Sequence, residues 1–313
     1  MNFQTIEYFI VLAEERNFTR AASRLYMTQQ SLSSHIATVE QELGCELIIR
    51  TVPLRLTFAG ETFLRYATNY RSTFLSMKHE FCDISQNQSG ILRVGISYTR
   101  SCIFMPDLIS NFQKKRPNIQ IEVYENSDLI KQITDGNLDL VITNIKDNNP
   151  KLVYKDFYDE TIVMVIAKEL INKYNLSESD ITAAIIEGHL NPLRNCPIIM
   201  NESGGLSFDT AYELFKHSDF KPNIKCTLIN MKTILELCYR NVGACFSPKN
   251  MAYSLLTDEQ LSKLMLFPIH NNFHCQIRFC YQKRSYQWSI INDFIQTALE
   301  VYPQIINAPD SQE

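Results

Sequence analysis

Five side chains able both to donate and to accept hydrogen bonds fall close together after Thr28: Gln29, Gln30, Ser33, Ser34 and His35. Base-pair edges in the major groove present fixed patterns of donors and acceptors, and a glutamine amide can meet adenine through two hydrogen bonds. These five residues are therefore candidates for reading bases. Arg20, Thr28, Ser31, Arg50 and Arg55 lie around them in sequence. They are candidates for DNA phosphates, contacts that position a protein without specifying a sequence. No lysine or arginine lies between Gln29 and Glu42. Arginine is the common reader of guanine, so the expected site is A·T-biased, with a large share of shape readout.

A second group suits a small molecule. Ser97-Tyr98-Thr99-Arg100-Ser101 stands between a strand pattern and a helix pattern. There Ser97, Thr99, Arg100 and Ser101 could hold a carboxylate or similar anion through hydroxyls, free backbone N–H groups and the helix dipole. Asn144 follows another strand pattern at a comparable place, and Asn201-Glu202-Ser203-Gly204-Gly205 follows a third. Ser203 and Gly204 are the contacts expected from that side. Glu202 opposes an anion and leaves room for a zwitterion or an amine. Reactive chemistry is poorly represented. G-x-S-x-G, H-E-x-x-H, G-x-x-x-x-G-K-[ST] and G-x-G-x-x-G are all missing, and the six histidines have no ligand spacing. No enzyme, cofactor or metal is expected. Asp156, Asp159 and Glu160 cluster near a strand turn and read as solvated acids.

The elements that position the first group are legible. Ile6, Phe9, Ile10 and Ala13 mark one face of a helix over residues 3–15. Thr19 is a plausible cap for a short helix carrying Ala21, Ala22 and Leu25, and Tyr26-Met27 make a turn. Thr28 caps the next helix, on which Leu32, Ile36, Val39 and Leu43 form one apolar stripe. Gln30, Ser33, Ser34, Ala37 and Gln41 then fall on or near its outer face. Gly44 ends it in the position where a left-handed residue is cheapest. Short alternating runs around Val52-Pro53 suggest a hairpin, so the outline is a winged helix-turn-helix. From Ala59 to Asn87, Phe63, Ala67, Tyr70, Phe74, Met77, Phe81 and Ile84 step by four and three. That period keeps one stripe facing a partner helix, as in a coiled coil.

From Ile91 strands and helices alternate, which predicts a parallel or mixed α/β sheet. A strand and a helix after residue 274 are expected to return to the first unit. Chain crossings are expected near Ala167-Lys168 and near Pro268-Asn271, giving two lobes with a cleft between them.

Charge and cysteine content bound the setting. The chain of 313 residues has a net charge of −4, and residues 1–88 carry eight basic against nine acidic side chains. DNA binding depends on phosphate neutralisation, so charge must be favourably distributed, and dependence on dimerisation is expected. No apolar run approaches a membrane span, and Met1 to Glu7 lack a signal-peptide pattern. A cytoplasmic protein is expected. Nine cysteines with no C-x-x-C pair read as buried reduced thiols. A redox-sensing thiol is the alternative, as is a small-molecule-binding module without specific DNA readout.

The N-terminal pattern resembles the DNA-binding domain of the LysR-type transcriptional regulators. The matching residues are Phe18-Thr19-Arg20-Ala21-Ala22, Leu25, Thr28-Gln29, Leu32-Ser33, Ile36, Glu40, Glu42-Leu43-Gly44, Leu47, Arg50, Leu56-Thr57 and Ala59-Gly60-Glu61. Gln30 replaces the proline common in the family, and Ser34 replaces the common arginine. Gly136 to Ile142 and Asn241 to Pro248 look like two C-terminal family motifs. The resemblance implies an α/β protein of three parts. They are a winged helix-turn-helix (1–58), a coiled-coil linker helix (59–89) and a two-lobed, periplasmic-binding-protein-like effector domain (90–306). Lobe I would comprise 90–167 and 269–306, and lobe II 168–268. It further implies a homodimer or homotetramer on double-stranded DNA. A small-molecule effector, a carboxylate or an amino-acid-like metabolite, and RNA polymerase complete the expected partners.

Overall fold

The computed structural model describes residues 2–85, 89–125, 128–202, 205–269 and 275–306. Three helices come first: α1 (Phe3–Glu15), α2 (Phe18–Arg24) and α3 (Gln29–Leu43). A hairpin of β1 (Ile48–Ile49) and β2 (Arg55–Leu56) follows, paired antiparallel. Phe9, Leu12, Ala21, Ala22, Leu32, Ile36 and Val39 pack together as one buried cluster.

The cap of α2 is Asn17, not Thr19: its Oδ1 accepts the Arg20 N–H at 3.0 Å. Starting the helix at Phe18 draws Thr19 inside it, where its hydroxyl donates to Gln29 Oε1 at 3.4 Å. Thr28 caps α3 as expected, its Oγ1 accepting from the Ser31 N–H at 3.1 Å. Either cap replaced by alanine is expected to cost about 1 kcal/mol. The check is urea unfolding of Asn17→Ala and Thr28→Ala against the parent. An unchanged midpoint would count against the capping role.

Leu43 departs from the expected stripe and is 46% exposed. It is the last residue of α3, just before Gly44 turns the chain at φ +69°. Glu40 fastens the hairpin to α3, accepting the N–H groups of Leu47 at 2.8 Å and Ile48 at 3.2 Å. The linker helix α4 (Phe58–Ile84) starts against the same place. A Cβ on Gly60 would lie 2.0 Å from the Leu47 carbonyl oxygen, so only glycine fits that approach.

The heptad stripe of α4 is divided between two uses. Phe63 meets Phe9 edge-on, Ala67 is buried with Ile6 and Ile10, and Phe74 lies 4.2 Å from Phe3. α1 therefore covers part of the expected seam. Tyr70, Met77, Phe81 and Ile84 stay exposed, together with Tyr66.

The next unit opens with β3 (Gly90–Ile96), α5 (Tyr98–Lys115), β4 (Ile119–Tyr124), α6 (Leu129–Thr134), β5 (Leu140–Thr143) and β6 (Leu152–Glu160). Then come β7 (Ile162–Ala167), α7 (Lys168–Lys173), α8 (Glu178–Glu187), β8 (Pro197–Asn201), α9 (Leu206–Lys216), β9 (Asn223–Leu228) and α10 (Met231–Tyr239). The chain closes with β10 (Cys245–Pro248), α11 (Lys249–Leu255), α12 (Asp258–Ser262), β11 (Leu264–Pro268), β12 (Cys275–Gln282) and α13 (Ser289–Ile306).

Lobe I holds a five-stranded sheet in the order β4-β3-β5-β12-β6, parallel at β4-β3-β5 and antiparallel at β12. Lobe II holds β10-β7-β11 and the parallel pair β8-β9, joined by a bridge from Ile198 to Ala244. β7 pairs with β10 and β11 rather than with β6. The first crossing is therefore at Thr161, six residues before the expected Ala167-Lys168. A chain leaving one sheet need not show a break in apolar pattern, because β7 is buried at every position. β12 lies between β5 and β6 in the five-stranded sheet, and α13 packs against α5. The second expected crossing falls partly outside the described residues.

α4 is tied to lobe I along its length. Arg71 reaches the Asn137 amide and the Asp135 carbonyl, and the Ser72 hydroxyl donates to Gln282 at 3.0 Å. The His79 ring stacks on the Trp288 indole at 3.9 Å and 6°. Asp83 caps α13, accepting the Ser289 N–H at 3.0 Å and its hydroxyl at 2.8 Å.

Candidate DNA-reading face and effector cleft

The polar residues of α3 divide by position around the helix. Gln30, Ser34, Ala37, Thr38 and Gln41 are all exposed, opposite the Leu32-Ile36-Val39 stripe. Gln29 is exposed at the first turn, and Ser31 and Ser33 are half-buried at the edges. His35 is exposed but its ring lies 5.0 Å from Tyr8 of α1, on the flank rather than the outer face. Thr38 belongs to the outer face and was absent from the sequence-based set. Its spacing of four from Ser34 was the available signal.

The arginines near this face are already engaged, Arg55 excepted. Arg20 donates to the Glu15 carbonyl at 2.5 Å and lies 3.7 Å from the Glu15 carboxylate. Arg24 holds Glu14 at 2.8 Å and Glu15 at 3.1 Å. Arg50 lies over the Phe18 ring and 3.8 Å from Glu40. Arg55 is exposed on β2, with no ion pair among the described residues.

The second group meets in a cleft of about 620 Å³ between the lobes. Ser97, Thr99 and Arg100 line it from the start of α5, and Asn144 from the end of β5. Asn201, Glu202 and the first turn of α9 face them from lobe II. Ser97 to Ser101 is not the loop expected: Ser97 is the N-cap position and Tyr98 the first helical residue. Ser101 is consequently buried and does not line the cleft, because the fourth residue of a helix has rotated away from its mouth. Ser203 and Gly204 lie outside the described residues.

Arg100 and Glu160 form a buried pair at the cleft floor. The guanidinium donates to Glu160 at 2.7 Å and 3.2 Å, and the Tyr158 hydroxyl donates to the same carboxylate at 3.2 Å. Burial, with the Glu160 charge beside it, pushes the Tyr158 hydroxyl well above its ordinary value. The acids of β6 are thus not simply solvated: Glu160 is 4% exposed, and Asp156 pairs with Arg278 at 2.9 Å. Alternating strand geometry turns Glu160 inward. The thiols of Cys196 and Cys280 are pushed up by burial to about 11, which keeps them protonated and unreactive at neutral pH. Cys45 and Cys102 are exposed.

Comparison with known proteins bears on both units of the chain. Residues 3–61 match the family model described as bacterial regulatory helix-turn-helix protein, lysR family. Residues 85–303 match the LysR substrate binding domain. The chain belongs to the LysR family. It is a DNA-binding transcriptional regulator with an effector-binding domain. Among LysR relatives, the uncharacterized HTH-type regulator YybE of Bacillus subtilis is 31% identical over 229 residues, covering 72% of this chain and 74% of that protein. AlsR of Bacillus subtilis is 27% identical over 261 residues, covering 80% and 81%. Of the solved LysR structures, a full-length OxyR variant from Pseudomonas aeruginosa aligns at TM-score 0.68 and 18% identity, over 100% of this chain and 99% of that one. Full-length CbnR in complex with its target DNA aligns at TM-score 0.59 and 19% identity, over 96% and 99%. At that identity the likeness concerns the fold.

Proposed function

We propose that the outer face of α3 reads an operator and that a small molecule closing the two lobes changes how paired subunits sit on it. The carrying observation is the division of α3. Its apolar residues Leu32, Ile36 and Val39 are used inside the N-terminal cluster, while Gln30, Ser34, Thr38 and Gln41 are left exposed. Gln29 and Gln30 stand at the N-terminal end that enters a groove first, with Ser33, Ser34 and His35 behind them. Thr28, Ser31, Arg20, Arg50 and Arg55 meet phosphates. In the cleft, Ser97, Thr99, Arg100 and Asn144 take the effector from lobe I, against Ser203, Gly204 and their neighbours on lobe II. The exposed α4 stripe of Tyr66, Tyr70, Met77, Phe81 and Ile84 pairs with a second copy, and two such dimers make a tetramer.

The protein acts by binding, with no catalytic step, and works in the cytoplasm, where operator and RNA polymerase meet. Among the described residues no helix is long and apolar enough to cross a membrane.

The test is retention of fragments of the source genome by the purified protein at low and moderate salt. A few A·T-rich inverted repeats are the expected result. Gln30→Ala should weaken retention of those repeats by about 1–3 kcal/mol and leave bulk-DNA binding intact. Retention of nothing above background would move the reading to a ligand-binding module.

A further inference from the structure

The charges of the cleft point to the class of molecule it takes, an inference that rests on the effector-binding reading above. The cleft walls carry two basic side chains, Arg100 and Lys131, and four acidic ones, Asp128, Glu160, Glu202 and Asp209. Arg100 and Glu160 neutralise each other at 2.7 Å. Lys131 then stands alone against three carboxylates, two of them on lobe II. A simple anion would meet net repulsion there.

Of the helices of eight or more residues that begin at the cleft, α10 is capped by the Asn230 side chain, whereas α5 from lobe I and α9 from lobe II have no side-chain cap among the described residues. They differ in one respect. α9 carries Asp209 in its first turn, whereas α5 has no acid there. A carboxylate in the first turn offsets the positive end of the helix dipole. Of these two helix starts, the one suited to an anion is therefore on lobe I, at Ser97 and Thr99. Lobe II offers the opposite. Asn201 lines the cleft, is 8% exposed, and its buried Oδ1 has no hydrogen-bond partner among the described residues. A buried acceptor without a donor is destabilising. A ligand N–H would remove that cost, and the adjacent Glu202 favours a donor that is charged.

We propose that the effector is an amino-acid-like zwitterion, its ammonium group held by Asn201 and Glu202 on lobe II and its carboxylate on the α5 N-terminus of lobe I. Such a molecule bonds to both lobes at once with opposite charges, which draws them together. A dicarboxylate or an aromatic monocarboxylate would satisfy α5 and leave Asn201 and Glu202 opposed to it.

The experiment is calorimetric titration of the full-length protein with the common L-amino acids and, for each, the carboxylic acid of the same chain without the amine. At least one amino acid should bind, with its amine-free counterpart weaker by about tenfold or more. Glu202→Gln should weaken the bound amino acid by about tenfold. Asn201→Asp, nearly the same size with an added charge, should tighten it. The assignment is overturned by an amine-free acid binding as tightly as its amino-acid counterpart. Unchanged affinity in Glu202→Gln, or no bound amino acid at all, would overturn it too. Operator retention by the unmodified protein separates the two levels. If it persists while the titrations fail, the regulator reading stands and only the ligand class is lost.

Discussion

Replacing Arg100 by alanine is expected to destabilise the effector-binding unit by about 3–5 kcal/mol, because Glu160 would be left buried without its counter-charge. The two residues are 8% and 4% exposed, and two N–H groups of the guanidinium meet both carboxylate oxygens. The Tyr158 hydroxyl alone cannot compensate. Such a loss is a large part of the stability of an ordinary domain. Urea unfolding followed by circular dichroism measures it. Arg100→Met combined with Glu160→Met should cost much less than Arg100→Ala, since no charge then remains to be solvated. A double variant as unstable as the single one would mean that packing, not charge, accounts for the loss. The N-terminal cluster is separate from this core, so fragment retention measured below the unfolding transition should survive.

Acidification should weaken the contact between α4 and lobe I. Burial, reinforced by the Arg284 and Arg93 charges, pushes His79 down to about 4, while Asp83 pulls the other way. The unfolded chain takes up this proton near 6.5 and the folded chain only near 4. Between those values the unfolded state binds more protons, so stability falls as pH drops from 6.5 to 4 and is unaffected by this group above 6.5. The displacement corresponds to roughly 3 kcal/mol. Carboxylates elsewhere also respond to acid, so the informative quantity is a difference. His79→Phe keeps a ring against Trp288 and removes the proton. Its stability relative to the parent should rise as pH falls from 7 to 4.5. The fluorescence of Trp288, the single tryptophan of the chain, reports the stack directly. Parallel pH curves for parent and variant would refute the assignment.

The N-terminal unit was the more legible part of the sequence. There local signals agree: Thr28 caps, Leu32, Ile36 and Val39 repeat, and Gly44 ends the helix. Thr19 misled because Asn17, two residues earlier, is the better cap. The α4 stripe was visible as a period, yet periodicity does not say which neighbour is served. Phe63 and Phe74 go to α1 of the same chain. In the effector unit the order of elements was readable and the crossing at Thr161 was not, since sheet membership is set by long-range pairing. Arg100 and Glu160, 60 positions apart, gave no local sign of meeting. Nor did the sequence reveal that α5 starts at Tyr98, which sends Ser101 into the core and keeps Thr99 at the cleft.

The glutamates of α1 that hold Arg20 and Arg24 bear on how this protein feels the ionic strength around it. Ordinarily an arginine reaching a phosphate frees a condensed cation from the DNA, and that release makes binding collapse in salt. Here the arginine must leave Glu14 or Glu15 behind, and the abandoned carboxylate gathers a cation of its own. The exchange then frees little. The phosphate contact proposed for Arg20 should therefore orient the protein on its operator while adding little to the salt sensitivity of binding.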